Sequence, residues 1–140
     1  MFRQIVPFLL LAAPVAAQEV ETVDFAAQSM RAHPEFEGVE NALALGSPGA
    51  DAGAFVANSM MFEGALFPPH THPNERLSLV LEGVMYLGVG DTVDPSNEIA
   101  VPAGSAARVP AGVMHYMISR DGDVRIAEIG TAPSPSAFAE

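Results

Sequence analysis

No cysteine occurs in this chain. That excludes disulfides, a thiolate nucleophile and any zinc–thiolate site, so a metal could be held only by histidine, carboxylate or water. Lysine is missing as well. The six basic residues are all arginines (Arg3, Arg31, Arg76, Arg108, Arg120 and Arg125), set against seventeen Asp and Glu for a formal charge of −11. A surface of that sign repels phosphate backbones and anionic headgroups. Nucleic acid and membrane-surface partners are therefore not expected, and the acidity reads as a solvated surface. Calcium is not expected either, because Asp91, Asp94 and Glu98 lack the spacing and glycine of a calcium loop and read as a polar hairpin connection.

The one sustained apolar run is at the start. Residues 1–17 carry a single positive charge at Arg3, about a dozen apolar residues, and small residues at the end, with Val15 and Ala17 preceding Gln18. This is the pattern of a cleaved secretory signal peptide, and the run is too short to span a bilayer comfortably. It predicts a soluble periplasmic or secreted protein with no membrane partner after cleavage.

A chain of 140 residues fits one domain and can bury roughly two thirds of the surface its unfolded form exposes. Residues 18–40 read as an extension with a short helix of about three turns over residues 23–32, ended by Pro34 and lying against the outside of the domain. His33, at the end of that helix, reads as an exposed terminal residue. From Asn41 the texture changes to short apolar runs punctuated by glycine and proline every ten residues or so, which is all-β punctuation. Two packed antiparallel sheets or a barrel over residues 41–131 buries such strands without open edges. Residues 132–140 are rich in Pro, Ser and Ala and read as a flexible tail.

Three of the four histidines fall in two clusters. In extended chain, side chains two apart share a face, so His70 and His72 point the same way about 7 Å apart and can share one ion. His115 stands in the run Val113-Met114-His115-Tyr116-Met117, where an imidazole on a mostly apolar interior needs a partner. Met60, Met61, Met85, Met114 and Met117 could offer thioethers to copper(I), but they read as core filling. Met117 shares the face of His115 and is the one best placed to touch a ligand. Tyr86 and Arg108 are candidates for a substrate carboxylate or carbonyl, with surface placement an equal alternative.

Gly64, five residues, His70-x-His72, a nearby Glu75 and Gly83 together resemble the first signature of the cupin superfamily. Gly104, five residues, Pro110-x-Gly112, two residues and His115 resemble the second, with Ser119 in place of its usual closing asparagine. The runs Pro68-Pro69-His70, Tyr86-Leu87-Gly88-Val89-Gly90-Asp91 and Val101-Pro102-Ala103-Gly104-Ser105 look like those of small single-domain cupins. The resemblance implies a double-stranded β-helix, or jelly-roll barrel. It also implies one divalent metal ion (Fe, Mn, Ni, Cu or Zn) on His70, His72 and His115 with a carboxylate, a small-molecule substrate or ligand, and a homodimer as a possible assembly. What it implies of activity is a small metalloenzyme of oxygenase, isomerase or lyase type, or else a non-catalytic binding barrel. One departure stands out. The family's glutamate follows the second histidine after three or four residues, where this chain has Arg76 and Leu77, and Glu75 comes after only two. Either a local bulge turns Glu75 inward as the fourth ligand and Arg76 outward, which is the expectation adopted, or three histidines form the whole site.

Overall fold

A computed structural model describes residues 20–140. The expected signal peptide at residues 1–17 lies outside the described residues. The rest is an all-β fold of two antiparallel sheets, built from β1 (Arg31–Ala32), β2 (Val39–Leu45), β3 (Gly53–Met61), β4 (Leu66–Thr71), β5 (Arg76–Glu82), β6 (Val84–Val89), β7 (Ile99–Pro102), β8 (Ala106–Val109), β9 (His115–Ser119), β10 (Val124–Ala132) and β11 (Ala137–Phe138). One sheet runs β1-β2-β3-β10-β5-β8 and the other β11-β4-β9-β6-β7. Among the described residues no helix is long and apolar enough to cross a membrane.

The short N-terminal helix is not present. Residues 25–27 make one 3-10 turn capped by Asp24, and Arg31–Ala32 pairs with Asn41 and Glu40 as an edge strand. Tertiary contacts decide this against local propensity. Asn58, fully buried, donates to the Phe25 carbonyl and to Gln28, which holds the segment in extended form against the sheet. The sheet therefore begins before Asn41, since β2 starts at Val39.

Strands fold where short apolar stretches meet glycine turns. Gly83, between β5 and β6, has φ +75°, and a Cβ there would lie 2.2 Å from the Asp123 carbonyl oxygen, so only glycine lets the chain pass from one sheet to the other at this point. The apolar core fills one end of the barrel with Val39, Met61, Val80, Met85, Leu87, Met117, Val124 and Ile126. Met61, Met85 and Met117 are at most 1% exposed there, so these three methionines are core filling. The buried histidines and Arg76 gather at the other end.

Candidate metal centre

Strand pairing brings two of the histidines together. β4 and β9 are neighbours, and His70 sits directly opposite His115 in their register. His72 follows the end of β4, and its carbonyl accepts from Gly112 N at 2.8 Å, so the Pro110–Gly112 turn fixes the chain that carries it. The ring centroids of His70 and His115 are 4.3 Å apart, those of His70 and His72 4.7 Å, and those of His72 and His115 5.5 Å. One ligand nitrogen from each lies within 4.8 Å of the others, and all three side chains are buried.

The ring protons follow from the neighbours. His70 Nδ1 lies 2.7 Å from the Pro68 carbonyl oxygen and His115 Nδ1 2.9 Å from that of Val113. A carbonyl only accepts, so both rings donate from Nδ1, and neutral rings then keep a bare lone pair on Nε2. Nε2 of His70 and of His72 are buried with no partner among the described residues. An orphaned buried nitrogen costs on the order of 1–3 kcal/mol, and a shared cation is what would satisfy it. Burial holds His70 down at about 4 and His72 at about 3, the charge of Arg76 adding to the fall of His72. His70 and His72 are therefore neutral near pH 7, the form that binds metal. The donor set fits a divalent ion wherever each ring offers it a bare nitrogen.

Glu75 is not where the expected bulge would put it. It is exposed and pairs at 3.3 Å with Arg108, whose side chain is 69% exposed, a surface contact of little energetic weight. Arg76 takes the inward position, 3% exposed. The reason is the parity of β5. Arg76, Ser78 and Val80 face in while Leu77 is left 39% exposed. The register slip lies at the other end of the strand, where Glu82 pairs with Arg125 and Val80 with Ile126, leaving Leu81 as the extra residue. The polar set wins the interior because it has partners there.

Those partners are specific. Arg76 Nη2 donates to His72 Nδ1 at 2.9 Å and to Ser134 Oγ at 3.0 Å, Nη1 lies 3.9 Å from Glu128 Oε2, and the guanidinium carbon sits 4.7 Å over the Phe55 ring. Gly130 makes room for this stack, since a Cβ there would come within 2.7 Å of Phe55. Arginine has only donors, so His72 Nδ1 must accept. The proton of the neutral His72 ring is then on Nε2, opposite to the arrangement in His70 and His115. At 3.9 Å the ion pair attracts by about 4 kcal/mol at an effective dielectric of roughly 20, which desolvation of both groups largely offsets. Burial pushes the Glu128 carboxyl up and Arg76 pulls it back.

The inward facing of Arg76, the carboxylate of Glu128 and the docking of the tail escaped the sequence reading. An acid at inward parity with Val124, Ile126 and Gly130 on β10 was the available signal for Glu128. The tail, read as flexible, is tied down in the structure. Asn74 donates to the carbonyls of Thr131 and Pro133, Ser134 is buried, and Ala137–Phe138 pairs with Thr71 and His70. The Phe138 ring lies 5.5 Å from that of His70, and Ser136 Oγ 3.4 Å from His72 Nδ1. A cavity of about 940 Å³ opens beside His72, lined among others by Phe55, Ser59, Arg76, Glu128, Ser134 and Ser136.

Other candidates fall elsewhere. Met117 packs in the apolar core and does not line that cavity. Tyr86 bonds Asp121 and Arg108 bonds Glu75, both away from the histidines. His33, expected to be exposed, is instead half-buried, stacks on Phe36 at 4.2 Å and lines the same cavity. Asp94 caps the 3-10 turn at Pro95–Asn97, and Glu98 accepts from Arg120 and Tyr116, so these acids serve the polar hairpin connection.

The cupin domain family model matches residues 60–130. No curated protein sequence matches the chain. Among solved structures, the polyketide cyclase RemF from Streptomyces resistomycificus is similar at 21% identity and TM-score 0.66, over 87% of this chain and 88% of that one. A cupin-like protein from Thermotoga maritima is similar at 16% identity and TM-score 0.65, over 87% and 89%. KdgF from Halomonas sp. is similar at 14% identity and TM-score 0.64, over 81% and 94%. At these identities the likeness is one of fold.

Proposed function

This chain belongs to the cupin family, and we propose that it is a small metalloenzyme holding one divalent ion on His70, His72 and His115 and acting on a small organic molecule. The observation that carries the reading is the convergence of three buried imidazoles with ligand atoms within 4.8 Å. Three nitrogen ligands leave coordination positions open, which separates a working site from a structural one. Such a donor set suits Fe, Mn, Ni, Cu or Zn. When bound, the ion would supply Lewis acidity toward a substrate oxygen or activate water or O₂.

The chain's own residues supply the remainder. The cavity beside His72 admits a small molecule, and Phe55 offers it an apolar wall. Glu128 is a carboxylate on that wall, and burial raises its proton affinity, so it is suited to hold or accept a proton. The fold itself does not fix the reaction; a polyketide cyclase of the same fold is a precedent for small-molecule chemistry in such a barrel. In the same proposal the apolar segment at residues 1–17 is a secretory signal and the chemistry lies outside the cytoplasm, so exported protein should begin at Gln18 by mass spectrometry.

The test is elemental analysis of exported protein followed by an oxygen-uptake and product screen with small phenols and organic acids. One metal per chain with turnover that falls at least about 100-fold in Glu128→Gln supports the proposal. A stoichiometric metal with no turnover of any substrate moves the reading to a non-catalytic binding barrel, and protein without metal after reconstitution overturns the metal site.

A further inference from the structure

The residue in the acid's place is a cation, and its surroundings are incomplete. Arg76 is 3% exposed, yet its Nε has no partner among the described residues. Its countercharge, Glu128, stands at 3.9 Å and is itself bonded by Ser78 at 3.3 Å. A divalent ion on three neutral imidazoles would add two positive charges to a buried site that already holds a guanidinium. The carboxylate that could offset them in the family pattern, Glu75, is outside on the surface. A second obstacle is the proton of His72. While Arg76 donates to Nδ1, the neutral ring keeps its hydrogen on Nε2, the atom an ion needs bare.

We infer that a small monocarboxylate, held by Arg76 in the cavity beside His72, completes this site and binds cooperatively with the metal ion. This rests on the metal-centre reading proposed above. The carboxylate supplies the missing negative charge from the ligand in place of the protein. By taking the Nη2 donor of Arg76 in a bidentate pair, it also releases His72 Nδ1. The ring proton can then move to Nδ1, where Ser136 Oγ stands 3.4 Å away as an acceptor, and Nε2 is freed to ligate. Ser134 Oγ, 3.0 Å from Nη2, and the Phe55 face, 4.7 Å under the guanidinium carbon, hold the guanidinium in place to receive the acid. Arg76 is thus a specificity-determining residue that selects acids over their neutral analogues. By linkage, the acid tightens the ion as much as the ion tightens the acid.

The experiment titrates Co²⁺ into metal-free protein, followed by the visible absorption of the bound ion, at fixed ionic strength. It is run alone and with propionate, benzoate or their amides. Either acid should tighten Co²⁺ at least tenfold while the amides change it less than twofold. In Arg76→Gln the acid effect should vanish, and Arg76→Glu should bind Co²⁺ tightly with no acid present. Wild-type protein that binds Co²⁺ equally with acids, amides or neither overturns the inference and leaves the metal centre standing; this comparison needs no variant to fold. Absence of Co²⁺ binding in wild type and Arg76→Glu under every condition overturns the metal centre and the inference with it.

Discussion

The two ends of the barrel are made by the same strands and yet are opposite in kind. On β10, Val124 and Ile126 enter the apolar core while Glu128, two residues on, faces the cavity. On β5, Val80 is core and Arg76 is site, and on β9 the same division falls between Met117 and His115. A strand keeps its inward parity along its length, so a switch from apolar to polar inward residues changes the chemistry without changing the fold. The apolar end stabilises by burial and needs no partner. The polar end contains a buried guanidinium, three imidazoles and a carboxylate, and its buried nitrogens, without partners among the described residues, are costly to stability and accord with the proposed ligand site.

If that division is right, substitutions at the two ends separate metal affinity from stability. The largest effect is expected from His70→Ala or His115→Ala. Each removes a proposed ligand and should weaken Zn²⁺ by more than the roughly 100-fold that loss of a supporting contact can cause, with little change in the melting temperature of metal-free protein. Met117→Ala or Met85→Ala should show the reverse, costing about 2–5 kcal/mol in urea unfolding while Zn²⁺ affinity stays within about threefold. A methionine variant that loses metal in step with stability would merge the two ends into one unit.

Acid should act through the polar end. His70 and His72 are held below the unfolded value of 6.5, at about 4 and about 3, so the unfolded chain takes up protons first. Stability of the metal-free protein is therefore full above pH 6.5 and falls as the pH drops from 6.5 toward 3, at about 1.4 kcal/mol per pH unit for each ring while it is the unfolded form alone that is protonated. Glu128, shifted upward, works against this: its share is present at low pH and lost as pH rises through its folded value. Urea midpoints between pH 7 and 4 measure the net effect, and saturating Zn²⁺ should steepen the fall. A midpoint independent of pH across that window would show that the rings are not held neutral. The smallest effect belongs to Glu75→Ala, on the outer surface. Zn²⁺ affinity should be unchanged and stability should move by no more than about 0.5 kcal/mol; a tenfold loss of affinity would return Glu75 to the ligand set.

The all-β texture and the histidine pairing were legible in the sequence because both depend on local punctuation and on the two-residue repeat of a strand. The spacing of His70, His72 and His115 pointed to one site, and their ring centroids lie within 5.5 Å. The facing of Glu75 and Arg76 was not legible. A run of Leu77, Leu79 and Leu81 gives no warning that Ser78 and Arg76 are the inward set, because the partners that stabilise them, Glu128 and Ser134, are 50 and 58 residues away. The N-terminal segment was misread as helix for the same kind of reason: Asn58, distant in sequence, holds Phe25 and Gln28 in place. The tail has the composition of a loose end, and only Asn74 and the β4 edge tie it over the histidines.

The central claim is most directly tested by the anomalous diffraction of a crystal grown with Zn²⁺. The account predicts one strong peak per chain inside the barrel, about 2.1 Å from a nitrogen of each of His70, His72 and His115. Zinc bound only at surface carboxylates, with the three rings still facing one another and no density between them, would contradict it.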